Sequence, residues 1–334
     1  MAREPETERA LELIDFWTPL LLRMCVASGV VQAFGRDDRT PQDVAADTGT
    51  HAGALARIIR ALASRGVFED GGGGRYRLTQ VGRRLLADET GNVAGLANFK
   101  PWELHAWAEA SFTLRTGKPS FPEYFGQGNW DWLAAHPDLS ERFNDDMRRR
   151  TTSLLDVALP LLDLPDRGTI VDVGGGNGLL LERVLEGRPG LRGVVFDAPH
   201  VVAEAEERLR AAGLWERVEL VGGDFFAEIP DGHDVYVMAS ILHDWDDEQA
   251  MCILEVCRRA MPRSARLVLF ETVVLPDDEP DLGKLLDLHM LVLFGARERT
   301  REEWEQLLDA AGFILERVVP TPGLDWIEAR PRPA

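Results

Sequence analysis

The stretch VDVGGGNG, residues 171–178, decides how this chain is read. Its first three residues have the pattern of a strand end, and the glycine loop after them opens a helix. Gly174, Gly176 and Gly178 let the backbone pass close to a ligand, because they carry no Cβ and tolerate positive φ. The helix amino end behind them presents free N–H groups. Taken alone, such a loop serves dinucleotide-binding proteins and tight structural turns equally. Leu179 stands where G-x-G-x-x-G has its third glycine, so the spacing departs from the dinucleotide pattern.

Working outward, TIVDVG, RGVVFDA, VELVGGD, HDVYVMAS and ARLVLFET are short apolar runs separated by helical patterns. Strands buried on both faces look like this, and the alternation predicts a doubly wound α/β sheet. Ligands of such sheets bind beyond the strand carboxyl ends. Asp197 closes the second strand, 23 residues after Gly174, where a carboxylate can accept from both ribose hydroxyls. Asp224 and Phe225 close the third, where an acid can accept from an adenine amino group and a phenyl ring can pack on the purine. Each also has an ordinary reading as a strand-end turn residue. Three successive strand ends converging on one crevice point to a nucleotide-bearing cofactor, and both NAD and S-adenosylmethionine (SAM) fit.

Composition narrows the partners. The 334 residues have room for two domains, and a 45% apolar content supports sizeable cores. A net charge of −19 argues against a nucleic-acid or anionic-membrane surface, since phosphates would be repelled. Cys25, Cys252 and Cys257 form neither a disulfide framework nor a Cys-x-x-Cys knuckle, which suits a reducing cytoplasm. MAREPETERA lacks the apolar core of a signal peptide, and no run approaches the roughly 18 apolar residues of a membrane span.

Residues 10–34 carry apolar side chains on more than one helical face, with Pro19 and Gly29 as interruptions. Their second face calls for cover by another chain, so a homodimer is expected. RTPQDVAADTG and THAGALARIIRALASRG then read as two helices, and VFEDGGGGRYRLTQVG as a hairpin. This is a winged helix, either a DNA reader or a scaffold. Residues 1–95 hold 12 basic and 13 acidic side chains, a net of −1, and the second helix offers only Arg57, Arg60 and Arg65. Without a basic footprint the scaffold reading prevails. Residues 96–152 form a connector rich in Trp and Phe, placed where a ligand pocket between domains is plausible.

VDVGGGNG, GVVFDAPHV, GGDFF, ILHDWDDE, FETVVLP and RERT, in this order, resemble the small-molecule SAM-dependent O-methyltransferases of plant phenolic and bacterial polyketide metabolism. The winged-helix front and helical connector match as well, so the resemblance covers nearly the whole chain. It implies a Rossmann-like SAM domain over residues 153–334, a pocket-lining connector over 96–152 and a dimerisation domain over 1–95. It implies SAM as cofactor, S-adenosylhomocysteine as its product, and a place in secondary metabolism such as antibiotic biosynthesis. The cofactor contacts it implies are Asp172, Gly174, Gly176, Gly178, Asp197, Asp224, Phe225, Ser240 and Trp245, the last stacking on adenine. Plant members place a lysine where Ala239 stands here; the neighbouring Ser240 hydroxyl can supply part of that contact, and the change argues for a bacterial-type enzyme.

Methyl transfer to a phenol needs an aligned, preferably deprotonated oxygen. A phenol with a pKa of about 10 is a poor nucleophile at neutral pH, and a histidine can take its proton during attack. His243, just past a strand carboxyl end, is in place for this. Such a base needs a carboxylate to fix its tautomer and stabilise the imidazolium. Glu271 ends the fifth strand and Glu298 opens ERTREEWEQLLDAAG, read as a helix with acids in its first turn; in the related enzymes glutamates at these positions flank the histidine. Ordinary readings remain, a strand-end acid for Glu271 and a helix-dipole acid for Glu298. Asp246, Asp247 and Glu248 read as the start of the next helix, and Asp244 either steadies the histidine or begins that cap. RFNDDM matches a substrate segment of the family, so Phe143 and Met147 would sandwich an aromatic ring and Asn144 would offer a polar contact. Met290 and Phe294 would line the opposite wall. The i, i+4 spacing of Phe143 and Met147 is equally ordinary helix packing.

The leading expectation is thus transfer of a methyl from SAM to the hydroxyl, phenolic by choice, of a small aromatic or polyketide-type metabolite, without a metal. The alternatives are a SAM-binding hydroxylase or decarboxylase of polyketides that leaves the methyl in place, and a transcriptional regulator with an inactive methyltransferase domain.

Overall fold

Local signals set the N-terminal elements. In the computed structural model, which describes residues 4–89, 93–97, 99–143, 147, 158–161, 163–321 and 324–333, the Thr40 hydroxyl accepts from the Asp43 N–H. Pro41 takes the first position of helix Pro41–Thr48, and Gly49, at φ 67°, ends it. Helix Ala52–Ala63 follows, and strands β1 (Phe68–Gly72) and β2 (Arg75–Leu78) pair antiparallel around the glycine turn. Val31, Phe34, Ile59, Leu62 and Phe68 form the core of this unit, which spans Met1–Leu104. Residues 10–34 break at Gly29, φ 72°, as expected, but not at Pro19. Pro19 sits in the first turn of helix Trp17–Ala27, where a missing N–H leaves no bond unmade. The other break falls just before that helix, where Asp15 accepts from the N–H groups of Trp17 and Thr18.

The second unit, His105–Ala334, holds the sheet. The five expected strands are β3 (Gly168–Val173), β4 (Leu191–Asp197), β5 (Val218–Gly222), β6 (Val235–Ala239) and β7 (Arg266–Glu271), mutually parallel. A two-residue parallel pair, β8 (Val273–Val274) with β9 (Arg299–Thr300), lies just past β7. Strands β10 (Phe313–Val319) and β11 (Asp325–Pro331) complete a seven-stranded sheet of order β10-β11-β7-β6-β3-β4-β5, joining antiparallel. The sequence reading did not anticipate these two, because FILERVV and DWIEARP carry charges that mask strand patterning. Buried Glu328 is tolerated because Arg317 and Arg266 pair with it at 2.6 and 2.5 Å.

Alternation across the strands sends Ile170 to one face, against helices Leu179–Leu185 and Ala205–Ala211, and Val171 to the other, against Asp247–Ala260 and Arg301–Ala310. Strand order reverses between β3 and β6: β4 and β5 extend to one side, β6 and β7 to the other. The loops after β3 and β6 therefore part at a switch point, where a doubly wound sheet opens its ligand crevice.

Candidate active site

Gly174, Gly176 and Gly178 all take positive φ, 73°, 54° and 76°. Gly174 allows a close approach, since a Cβ there would run into the Ile241 side chain on the neighbouring loop after β6. A Cβ on Gly176 would meet nothing within 4 Å, so the loop faces open space there. Asp197 turns towards this loop: its Oδ2 accepts from the Gly176 N–H at 2.9 Å and its Oδ1 from the Ala198 N–H at 2.6 Å. Beneath the loop Asp172 is buried with an unpartnered Oδ2, and burial, reinforced by the Asp197 charge, pushes its pKa up to about 7. An orphaned carboxylate oxygen beside a glycine-rich loop fits a cofactor carrying an ammonium group. Asp224 accepts from the Phe226 N–H at 2.9 Å. Phe225 and Phe226 meet the Trp245 ring edge-on, centroids 6.0 and 4.9 Å away, so these expected cofactor residues share one aromatic corner; Phe226 was not foreseen.

Ser240, next after β6, holds φ 55°, a conformation unusual for a side-chain-bearing residue and concentrated at functional sites. It turns the chain into the single 3₁₀ turn Leu242–Asp244, which buries His243. The His243 Nδ1 lies 2.8 Å from Glu298 Oε1 and 4.0 Å from Glu271 Oε2, while Asp244 Oδ1 is 3.5 Å from Nε2. Both glutamates are buried, and their Oε2 atoms accept no hydrogen bond. Glu271 grips the turn from below, its Oε1 accepting from the N–H groups of Ile241 and Leu242 at 3.2 and 2.8 Å. The helix-dipole reading of Glu298 fails, because its helix starts at Arg301 with a Thr300–Glu303 capping box and Glu298 lies outside the first turn. Asp246 caps helix Asp247–Ala260 through the Gln249 N–H, as read from sequence.

Burial opposes a charge on His243, but Asp244, Glu271 and Glu298 together outweigh it and push its pKa up to about 10. Burial raises Glu271 to about 7, opposed by the imidazolium and reinforced by Glu298. Although no metal is expected from the sequence, the acids do gather: one ligand atom each from His243, Glu271 and Glu298 lies within 4.8 Å of the others. A 2.8 Å N–O separation is nevertheless that of a charge-assisted hydrogen bond. Tetrahedral metal bonds of about 2.0–2.2 Å would hold such atoms more than 3 Å apart.

Helix Leu282–Phe294 links this cluster to an aromatic wall. Asp287 accepts from the Glu298 N–H at 2.9 Å, and buried Met290 follows it at i+3 on the same face. Phe294 packs on Trp130 at 5.0 Å between centroids, and Trp130 meets Phe143 edge-on at 5.9 Å. Phe143 and Phe294 are thus brought together by a tryptophan the sequence reading did not single out. Met147 is helical and half-buried; Asn144 lies outside the described residues. The Trp107 Nε1–H donates to His289 Nδ1 at 3.1 Å, which fixes that ring as its Nε2–H tautomer. Among the residues missed, Arg299 stands out: it is fully buried and donates to the carbonyls of Leu242 and Trp245. The only signal for it was its place beside Glu298 in RERT.

A buried histidine among three carboxylates, in the loop whose Ile241 packs on the glycine loop at the switch point, suits group transfer rather than hydride transfer, and the class is that of the SAM-dependent methyltransferases. The chain matches an O-methyltransferase domain over residues 107–314 and an O-methyltransferase dimerisation domain over residues 16–88. It belongs to that O-methyltransferase family. It is 38% identical over 330 residues to a phenazine O-methyltransferase of Lysobacter antibioticus, covering 98% of this chain and 97% of that one. It is 38% identical to the O-demethylpuromycin-O-methyltransferase of Streptomyces alboniger, covering 97% and 89%. Among solved structures, a methyltransferase of calicheamicin biosynthesis with S-adenosylhomocysteine bound superposes with a TM-score of 0.86 at 32% identity, covering 99% and 100%. An O-methyltransferase of neocarzinostatin biosynthesis, in complex with SAM and 2-hydroxy-5-methyl naphthoic acid, gives 0.80 at 30%, covering 96% and 98%. The enzyme is a SAM-dependent O-methyltransferase. No helix among the described residues is long and apolar enough to cross a membrane.

Proposed function

We propose that the enzyme methylates the phenolic hydroxyl of a small, flat aromatic metabolite, with His243 as the base held by Glu298 and Glu271. The observation that carries this is the buried 2.8 Å contact between Glu298 and the Nδ1 of His243, in a loop whose Ile241 packs against Gly174 of the loop after β3. When bound, SAM supplies an electrophilic methyl on a cationic sulfur. Asp172 and the glycine loop would hold its amino-acid end, and Asp197, whose oxygens each keep a second lone pair, would hold its ribose. Asp224, Phe225 and Trp245 would take the adenine. Glu298 fixes the Nδ1–H tautomer of the neutral ring, which directs Nε2 towards the incoming hydroxyl. Proton transfer to Nε2 then creates an imidazolium that the surrounding carboxylates favour.

The Phe143–Trp130–Phe294 wall supports a planar acceptor, as do relatives named for phenazine, naphthoate and hydroxybenzoate substrates. The matched dimerisation domain and the exposed Leu13, Ile14, Phe16 and Trp17 support a homodimer, for which light scattering should give twice the chain mass. Three free cysteines suit a reducing cytoplasm.

Incubation with methyl-labelled SAM and a panel of phenols, naphthols and hydroxylated polyketides tests the reading. His243→Gln should keep SAM binding and lose about 10²- to 10⁴-fold in turnover. Wild-type turnover in that variant would remove the base. Product without matching S-adenosylhomocysteine would instead favour hydroxylation or decarboxylation.

A further inference from the structure

The turn that carries His243 has little hold on itself. Its internal backbone bonds are Asp244 N–H to Ile241 at 3.2 Å and Trp245 N–H to Leu242 at 3.4 Å, and it enters through the unfavourable φ of Ser240. It is gripped instead from outside, at amides by Glu271 and at carbonyls by Arg299. The Arg299 Nη1 donates to Leu242 at 3.1 Å and its Nη2 to Trp245 at 3.2 Å. Nε and Nη2 also donate to Asp247 Oδ1 at 3.0 and 2.8 Å. Leu242 and Trp245 bracket His243 on either side.

We propose that Arg299 is a positioning residue that holds the backbone before and after His243, so that the base and the Trp245 ring are aimed as one piece. The proposal rests on His243 acting as the base. The backbone of Arg299 pairs with Val273 in the β8–β9 ladder, two residues past Glu271 and one past Glu298. One short ladder thereby sets both carboxylates in register with the side chain that fixes the histidine turn. A buried guanidinium carries a desolvation cost of several kcal/mol unless its donors are used, and here four bonds use them. If pairing with Asp247 were its whole role, a lysine would serve as well. The two carbonyl bonds need the planar fork, which a single ammonium at one point cannot reproduce.

The test is a double-mutant cycle of Arg299→Lys with His243→Gln, read as kcat, acceptor KM and SAM Kd, with melting curves for each variant. Arg299→Lys alone should cut kcat by about 10²-fold, the scale of a 1 Å misplacement, and should weaken SAM binding more than acceptor binding. In the His243→Gln background the same change should alter kcat by no more than about threefold, because residues acting as a unit are not additive. Equal losses in both backgrounds, or wild-type kcat in Arg299→Lys, would overturn the proposal. Should Arg299→Lys fail to fold, Asp247→Asn loosens the same arginine from a largely exposed partner, and the cycle is read with that variant. His243→Gln with full turnover would sink the base assignment and this proposal together, which separates that failure from failure of the cycle alone.

Discussion

Replacing Glu298 by Gln keeps the shape and an acceptor oxygen but removes the charge 2.8 Å from His243 Nδ1. With charge centres about 4 Å apart and an effective dielectric near 20, the lost attraction is at most about 4 kcal/mol, or three pKa units. Opposite charges at such range shift a pKa by about 1–3 units in practice. The histidine, at about 10 in the native cluster, should therefore titrate between about 7 and 9 in the variant. The sign follows from the raised value: the native cluster keeps its proton up to about pH 10, so with His243 as the proposed base activity below that pH should rise as the proton is lost. In the variant the rising limb of kcat/KM moves down by the same 1–3 units. Its plateau also falls, because with half a proton transferred in the transition state a base weaker by 1–3 units is slower by about 3- to 30-fold. The assays are kcat/KM with one phenol from pH 6 to 10.5, and direct titration of the imidazole nitrogens by NMR, read as apparent values of a coupled cluster. A limb that stays put, with an unchanged imidazole titration, would refute the argument that Glu298 holds the proton.

Other outcomes follow from the same geometry. Glu271 has a raised pKa, about 7 against an ordinary 4.5, so the fold retains a proton that the unfolded chain releases and stability declines as pH rises through that window. Glu271→Gln removes this dependence while its amide oxygen still accepts from Ile241 and Leu242. Its Tm relative to wild type should rise between pH 5 and pH 8 in scanning fluorimetry while turnover falls; a constant offset would contradict the assignment. Gly174→Ala meets both a positive φ of 73° and the Ile241 side chain. It should destabilise by about 1–3 kcal/mol and weaken SAM binding at least tenfold by calorimetry, and unchanged affinity would remove the loop from the cofactor site. Trp130→Ala should raise the acceptor KM with SAM Kd unchanged; the reverse pattern would place that wall elsewhere.

How much was legible in sequence depended on the range of the interactions. Strands β3 to β7 declared themselves because burial on both faces leaves apolar runs, and helix Pro41–Thr48 because Thr40, Pro41 and Gly49 signal locally. Its place past a strand end pointed to His243 and the family resemblance supplied the roles of Glu271 and Glu298, but their division of labour was hidden. Which glutamate meets the ring and which holds the turn depends on the β8–β9 ladder, two residues long and without a pattern of its own. Arg299 was invisible for the same reason, since an arginine two residues before a helix reads as surface until its burial is seen. Strands β10 and β11 were missed because Glu328, Arg317 and Glu316 look like solvent-facing charges, whereas Glu328 lies inside a three-residue ion cluster. Trp130 was one of many aromatics, and composition does not say which of them face each other.

The proton count around His243 bears on the kind of acceptor the enzyme takes. Three carboxyl groups surround one imidazole, and the free cluster holds it as imidazolium at neutral pH. A phenol with an ordinary pKa of about 10 must then meet the small fraction of enzyme that has lost a proton. A hydroxyl acidified by a fused ring, a carbonyl or a carboxylate arrives already ionised, and an imidazolium is the better partner for it. The two routes share one total proton content, so they converge on the same transition state with proton and charge between oxygen and Nε2. What the carboxylates fix is the side of that equilibrium on which the positive charge rests, and they place it on the protein. With His243 as the proposed base, acidified aromatic hydroxyls should therefore be methylated faster at neutral pH than ordinary phenols, and equal rates across a series of acceptor pKa values would contradict this.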